Sequence, residues 1–306
     1  MSRTDAATRI LFEAFSAAEV RLFYVFGYAA LGVFCYGVYV QVRKYRRGAA
    51  LRLPGSLWAR LGDMIAKVFN HRTIGRRDAA AGWAHRLIFY GFLLLFLGTA
   101  TITLQYDILE PLFGIRFWYG DFYLVFSLVL DVAGVALIGG LAYMMYRRGW
   151  LKLPKLDYAR PDRGPGDRDF LRPQYRREDW AFLWTLVVIG CTGYLLEAAR
   201  LVWLQAQPDV WDTRWWSPVG ALIAEGMRAL DLSARGGGVL RLGLWWFHGL
   251  LALLFIALIP YSKVKHIFTA AASLMVRDPQ ASQRLPRVPD TEESPGVAKI
   301  TDFNWK

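Results

Sequence analysis

The sequence predicts an all-α integral membrane protein, a bundle of five transmembrane helices with an outside N-terminus and a cytoplasmic C-terminus. Two observations predict it: charge avoids five long stretches, and the basic residues fall on alternating connections. Although 20% of the 306 residues are charged, uncharged or nearly uncharged runs occupy 22–42, 87–106, 122–146, 180–199 and 242–262. Each is about the ~20 residues an α-helix needs to cross ~30 Å of hydrocarbon. A membrane barrel would alternate apolar and polar residues, whereas residues 92–97 are apolar on every side.

Orientation follows from Lys and Arg, which accumulate on the cytoplasmic side. Ten fall in 43–77 and ten in 147–177, against three in 1–21, one in 105–120 and five in 200–241. The cell (inner) membrane of a bacterium is the expected location. The net charge of +12 is then a topology signal facing an anionic leaflet, and no nucleic-acid partner is expected.

Taken in order, residues 1–21 carry Glu13 and Glu19 and no cleavage site of small residues, so they are not read as a secretory signal. They are expected to form an outer-surface amphipathic helix, with Ile10, Leu11 and Phe15 facing lipid. Residues 22–276 form the membrane domain. Within it, Leu57–Asn70 places Leu57, Leu61, Ile65 and Phe69 at helical spacing, the pattern of a helix lying on the membrane surface. The stretch 154–173 is rich in Pro, Gly and Arg and is expected to be irregular. On the outer side Trp211, Trp215 and Trp216 suit an aromatic belt, and the glycines at 236–238 read as a hinge before the fifth span. Residues 277–306, with Pro279, Pro286, Pro289 and Pro295, read as a cytoplasmic linker or tail that docks a partner or leads into a further domain. Cys35 and Cys191 are the only cysteines, which excludes a disulfide scaffold, covalent haem attachment and a cysteine-ligated cluster within these residues.

The chemistry rests on four histidines, His71, His85, His248 and His266, all on the second and fifth spans or at their cytoplasmic ends. A lone histidine in a span often does no more than hydrogen-bond a neighbour. Four confined to two helices point instead to ligation. His248 and His266 are 18 residues apart, five turns and roughly 27 Å on a continuous helix, too far for one zinc ion. Haem suits the pattern better, because imidazoles from two helices can grip one iron. Asp131 in the third span and Glu197 in the fourth are costly in lipid and expected to face the bundle interior. A proton path to a quinone is the functional reading of both, and a hydrogen bond or an ion pair of Glu197 with Arg200 is the structural one.

The stretch beginning Trp-Trp-Phe-His-Gly at Trp245 and ending Ile-Pro-Tyr-Ser-Lys-Val-Lys-His at His266 resembles the last span of the respiratory nitrate reductase gamma subunit. It is similar again to the related cytochrome b membrane domain fused to, or partnered with, heterodisulfide-reductase-type iron–sulfur proteins. That group includes the electron-transfer flavoprotein:menaquinone oxidoreductases. Gly-Trp-Ala-His-Arg-Leu-Ile-Phe-Tyr-Gly from Gly82 is similar to their second span, and Thr-Gly-Tyr-Leu-Leu-Glu from Thr192 to their fourth. The resemblance implies haem b on His85 and His266, with Arg86 and Lys263 near its propionates, and a possible second haem. It also implies menaquinone or another quinone as substrate, and electron exchange with a cytoplasmic iron–sulfur protein or with electron-transfer flavoprotein. The carry-over is incomplete: Leu95 stands where the gamma subunit has its second His, so His248 lacks its usual partner. Pairing His85 with His248 and His71 with His266 is the alternative. The rival functions are a haem-free membrane anchor of a reductase and a transporter using the histidines as a proton or metal path.

Overall fold

A computed structural model describes residues 12, 15–48, 55–156, 173–204 and 214–277. Ten α-helices are found among them: α1 Ala17–Tyr45, α2 Leu57–Asn70, α3 Arg72–Arg77, α4 Ala79–Thr103, α5 Glu110–Phe113, α6 Gly120–Gly149, α7 Pro173–Leu204, α8 Pro218–Ala229, α9 Ala234–Leu258 and α10 His266–Met275. A π-helical stretch, Leu104–Leu109, joins α4 to α5. Five helical segments are long and apolar enough to cross a membrane: Ala17–Tyr45, Ala79–Phe113, Gly120–Gly149, Tyr175–Leu204 and Ala234–Tyr261. Each contains a predicted span or all but its last residue, and each runs beyond it into flanking residues. Ser16 and Glu19 form a reciprocal capping box at the start of α1, with Ser16 N–H donating to Glu19 Oε2 (2.8 Å) and Glu19 N–H to Ser16 Oγ (3.2 Å). The first span thus begins at Ala17, so residues 17–21 belong to it and not to a separate surface helix. The rest of the proposed surface segment, with Ile10 and Leu11, lies outside the described residues, as do Trp211, the stretch 157–172 and the tail beyond Arg277.

The chain divides into two compact units: residues 1–27 with 78–255, and residues 28–77 with 256–306. In the first unit α4 and α6 meet backbone to backbone. A Cβ on Gly91 would stand 2.6 Å from the Ala133 carbonyl oxygen, and one on Gly140 2.8 Å from that of Ala84. Lipid supplies no hydrophobic drive between helices, so small residues that allow such approach are how spans associate. Gly91→Ala should therefore lower stability by about 1–3 kcal/mol, the cost of overpacking, because its new methyl meets backbone that cannot turn aside. Thermal unfolding of the detergent-purified protein measures it.

Close packing also explains residues 236–238, which do not form a hinge. They lie inside α9, where a Cβ on Gly237 would be 2.8 Å from Val202 Cγ1 and one on Gly238 2.9 Å from Trp203 Cδ1, so these glycines admit α7. Phe15 packs against the fifth span: its ring lies 4.5 Å from that of Trp245, which is also tilted against Phe23 at 4.5 Å. Helix α8, which hydropathy gave no reason to expect, covers Ala198 and Val202 of α7.

In the second unit, α2 has the bounds its periodicity predicts and packs on α10, whose last carbonyls (Met275, 3.2 Å, and Arg277, 3.0 Å) accept hydrogen bonds from Arg60 Nη1. Pro260 changes the fifth span. It has no N–H and its ring crowds the preceding turn, so the helix stops at Leu258 and passes through two 3₁₀ turns, Ile259–Tyr261 and Lys263–Lys265. His266 then opens α10. The continuous helix that would set His248 and His266 five turns apart on one face does not exist. Gly37 of α1 accommodates the break, with Pro260 and Tyr261 against it, while Gln41 Nε2 donates to the Pro260 carbonyl (3.0 Å).

Candidate functional site

His85 lies in the second turn of α4, half-buried, and the helix start beneath it is tightly fixed. Asp78 caps α4 by accepting the Ala81 N–H at Oδ1 (3.0 Å), and it receives both arms of Arg147 from the end of α6, Nη1 to Oδ1 at 3.1 Å and Nη2 to Oδ2 at 2.5 Å. Arg86 lies over the Trp83 ring, 5.1 Å from its centroid. Lys263 sits in the second 3₁₀ turn after Pro260.

Hydrogen-bond accounting fixes the ring state of the other three histidines. His71 Nδ1 is 3.0 Å from the Phe69 carbonyl, and His266 Nδ1 is 3.0 Å from the Lys263 carbonyl. A carbonyl only accepts, so in both rings Nδ1 carries the proton and the neutral ring's lone pair is on Nε2. His248 Nδ1 is 3.0 Å from Thr192 Oγ1. The Thr192 hydroxyl already donates to the Val188 carbonyl (2.7 Å), so it accepts from His248, with the same result. An imidazole whose Nδ1–H is held by an oxygen and whose Nε2 carries the lone pair is the form that ligates a metal. Gly193 lies beside the ring, where a Cβ would make an ordinary contact 3.5 Å from His248 Cε1. Thr192→Val removes the acceptor and should shift the His248 tautomer ratio about fivefold toward Nε2–H, the worth of about 1 kcal/mol of hydrogen bond. Nitrogen NMR of ¹⁵N-histidine protein measures the ratio, and Thr192→Ser should restore it.

The heights of the two histidines in the first unit also follow. Phe92 of α4 meets Phe255 of α9 with ring centroids 6.1 Å apart, and the second and fifth of five successive spans cross a membrane in opposite directions. His85 precedes Phe92 by seven residues and His248 precedes Phe255 by seven, so they lie on opposite sides of that level. At 1.5 Å per residue they are about 21 Å apart along the axis. That spacing does not favour one iron shared by His85 and His248, which is half of the alternative pairing. Among the described residues no three His, Cys, Asp or Glu side chains gather as a metal-ligand set.

Asp131 and Glu197 enter one buried polar layer in the first unit. Asp131 Oδ2 accepts the Val219 N–H (3.1 Å) and Oδ1 the Gly220 N–H (3.3 Å), which fastens the first turn of α8 to α6. Its backbone carbonyl accepts from the Tyr194 hydroxyl. Glu197 binds Arg200 through both arms, Nε at 2.9 Å and Nη2 at 2.5 Å, the ion pair that the sequence offered as the structural reading. Gly220 lies against the Glu197 chain, and Ser127 bonds Ser217 at 2.8 Å. Both carboxylates therefore have structural partners. Sequence reasoning missed the Arg147–Asp78 clamp and the role of Thr192. Asp78 just before an apolar run was a readable cap signal, whereas its pairing with Arg147, 69 residues away, had none.

No family model matches the sequence, and no solved structure does. Curated proteins similar to it include the EtfAB:quinone oxidoreductase of Syntrophomonas wolfei subsp. wolfei, 29% identical over 236 residues, 75% of this chain and 30% of that protein. Another is the probable iron-sulfur-binding oxidoreductase FadF of Bacillus subtilis, 24% identical over 297 residues, 94% of this chain and 37% of that protein. The chain spans about a third of the length of these relatives.

Proposed function

We propose that this chain is the haem b membrane part of an oxidoreductase that moves electrons between a cytoplasmic iron–sulfur or flavoprotein partner and the membrane quinone pool. The observation that carries this reading is the set of three histidines held at Nδ1 with the lone pair on Nε2, in a chain with five membrane-length helices. The names of its relatives, a quinone oxidoreductase and an iron–sulfur oxidoreductase, support it.

The axial ligands are drawn from His85, His266, His248 and His71, with His85 and His266 first. When bound, b-type haem supplies a one-electron step matched to quinone chemistry. The rest is the work of the chain. Asp78 and Arg147 hold the start of α4 and so orient His85, and Thr192 orients His248. Arg86 and Lys263 offer cations for carboxylates. A quinone exchanges protons as well as electrons, and Glu197 and Asp131 are the groups in this chain suited to passing them. The N-terminus is outside and the C-terminus cytoplasmic, so a reporter fused after Lys306 should behave as cytoplasmic.

A reduced-minus-oxidised visible spectrum of membranes containing the chain tests the proposal, together with haem quantification on the purified protein. A b-type α band with one to two haems per chain is expected. A purified, folded chain without haem sinks the reading in favour of a haem-free anchor.

A further inference from the structure

We infer that the end of the first span is a binding site for the head group of an anionic glycerophospholipid. An open cleft of about 360 Å³ in the second unit is lined by Tyr39, Val42, Arg43, Arg46 and Arg47. These positions recur at three- and four-residue intervals, so they form one stripe along the end of α1 and the turn that follows it. Three arginines line it with no acidic residue among the lining residues, and among the described residues no carboxylate pairs with any of them. A topology signal accounts for basic residues after a span. It does not require that they line one concavity.

The chemistry of the lining matches a phosphodiester that stays attached to acyl chains. Guanidinium is planar and presents paired donors to phosphate oxygens. One turn further into the apolar helix, Tyr39 and Val42 offer an apolar wall to the glycerol and the upper acyl carbons. From Tyr39 to Arg47 the stripe rises about 12 Å, comparable with the polar interfacial layer of one leaflet. Free phosphate would use the arginines and leave that wall unused, so the occupant is the lipid.

The test uses the full chain purified in a neutral detergent, with lipid retention read by native mass spectrometry after addition of dioleoyl phosphatidylglycerol, dioleoyl phosphatidylcholine or inorganic phosphate. Wild type should retain phosphatidylglycerol over phosphatidylcholine by about tenfold or more, as expected for several basic residues acting together. R43Q/R46Q/R47Q should lose that preference, while R76Q/R77Q/R176Q, which removes three exposed arginines elsewhere, should keep it. The helical circular dichroism of both variants, matching wild type, shows that the chain is folded. Three outcomes overturn the inference: equal retention by R43Q/R46Q/R47Q and wild type, an equal loss in R76Q/R77Q/R176Q, or displacement of the lipid by inorganic phosphate at the same concentration.

Discussion

His85→Ala is expected to remove about one b-type haem per chain, because a bis-imidazole iron that loses one strong axial ligand is held only weakly. The helical circular dichroism should be unchanged, since His85 is not part of the Asp78–Arg147 clamp that fixes the start of α4. His266→Ala, the partner that the family resemblance implies, should give the same difference spectrum as His85→Ala, and His71→Ala should leave that component in place. His248 lies about 21 Å from His85 along the helices, so its substitution is expected to act on something else. If His248 also ligates haem, His248→Ala removes a second spectral component and the double variant loses both additively. If it serves the quinone, haem content holds and quinone-linked turnover falls by roughly 10²-fold, the scale of a lost proton-transfer group. A His85→Ala protein with wild-type haem content would rule out this residue as a ligand.

Arg147→Ala is expected to be the most destabilising single change outside the histidines. The guanidinium is 4% exposed and spends two donors on Asp78, which at the same time caps α4. Removing the cation takes the bidentate guanidinium partner from a largely buried carboxylate, a loss of about 3 kcal/mol or more. For a chain of this size that is a fall of roughly 5–10 °C in the melting temperature. Replacing both partners, Arg147→Met with Asp78→Asn, should recover much of the loss, because a neutral pair has no buried charge to strand and the amide oxygen still accepts the Ala81 N–H. A double variant as unstable as Arg147→Ala would mean that packing of the long arginine stem, not charge, holds this end. Since α4 carries His85, haem occupancy of Arg147→Ala should fall along with stability.

The sequence by itself determined the five spans and the bounds of the helix Leu57–Asn70, and it supplied the residues proposed to do chemistry. The physical reason is that lipid forces every backbone group into an intrahelical bond and leaves charge nowhere to hide, so hydropathy alone separates spans from connections. Periodicity is likewise local, which is why α2 was legible to the residue. The ends of the spans were not, because Ser16, Asp78 and Gly114 terminate or start helices through backbone geometry that hydropathy does not register.

Everything that depends on which residues meet was decided by the tertiary structure. Residues 236–238 read as a flexible joint in one dimension, yet they are rigid contact points because α7 presses against them. His248 and His266 read as one helical face, but Pro260 breaks the helix between them. Asp131 read as a proton carrier, and only packing shows that it also holds the first turn of α8, a helix too short for hydropathy to reveal as a span. The tautomer of His248 was equally invisible, since it depends on Thr192 facing it from 56 positions away and on that hydroxyl's proton being committed to its own helix. Composition sets where a residue can reside in a bilayer, whereas the partner that fixes its chemical state arrives only when helices pack.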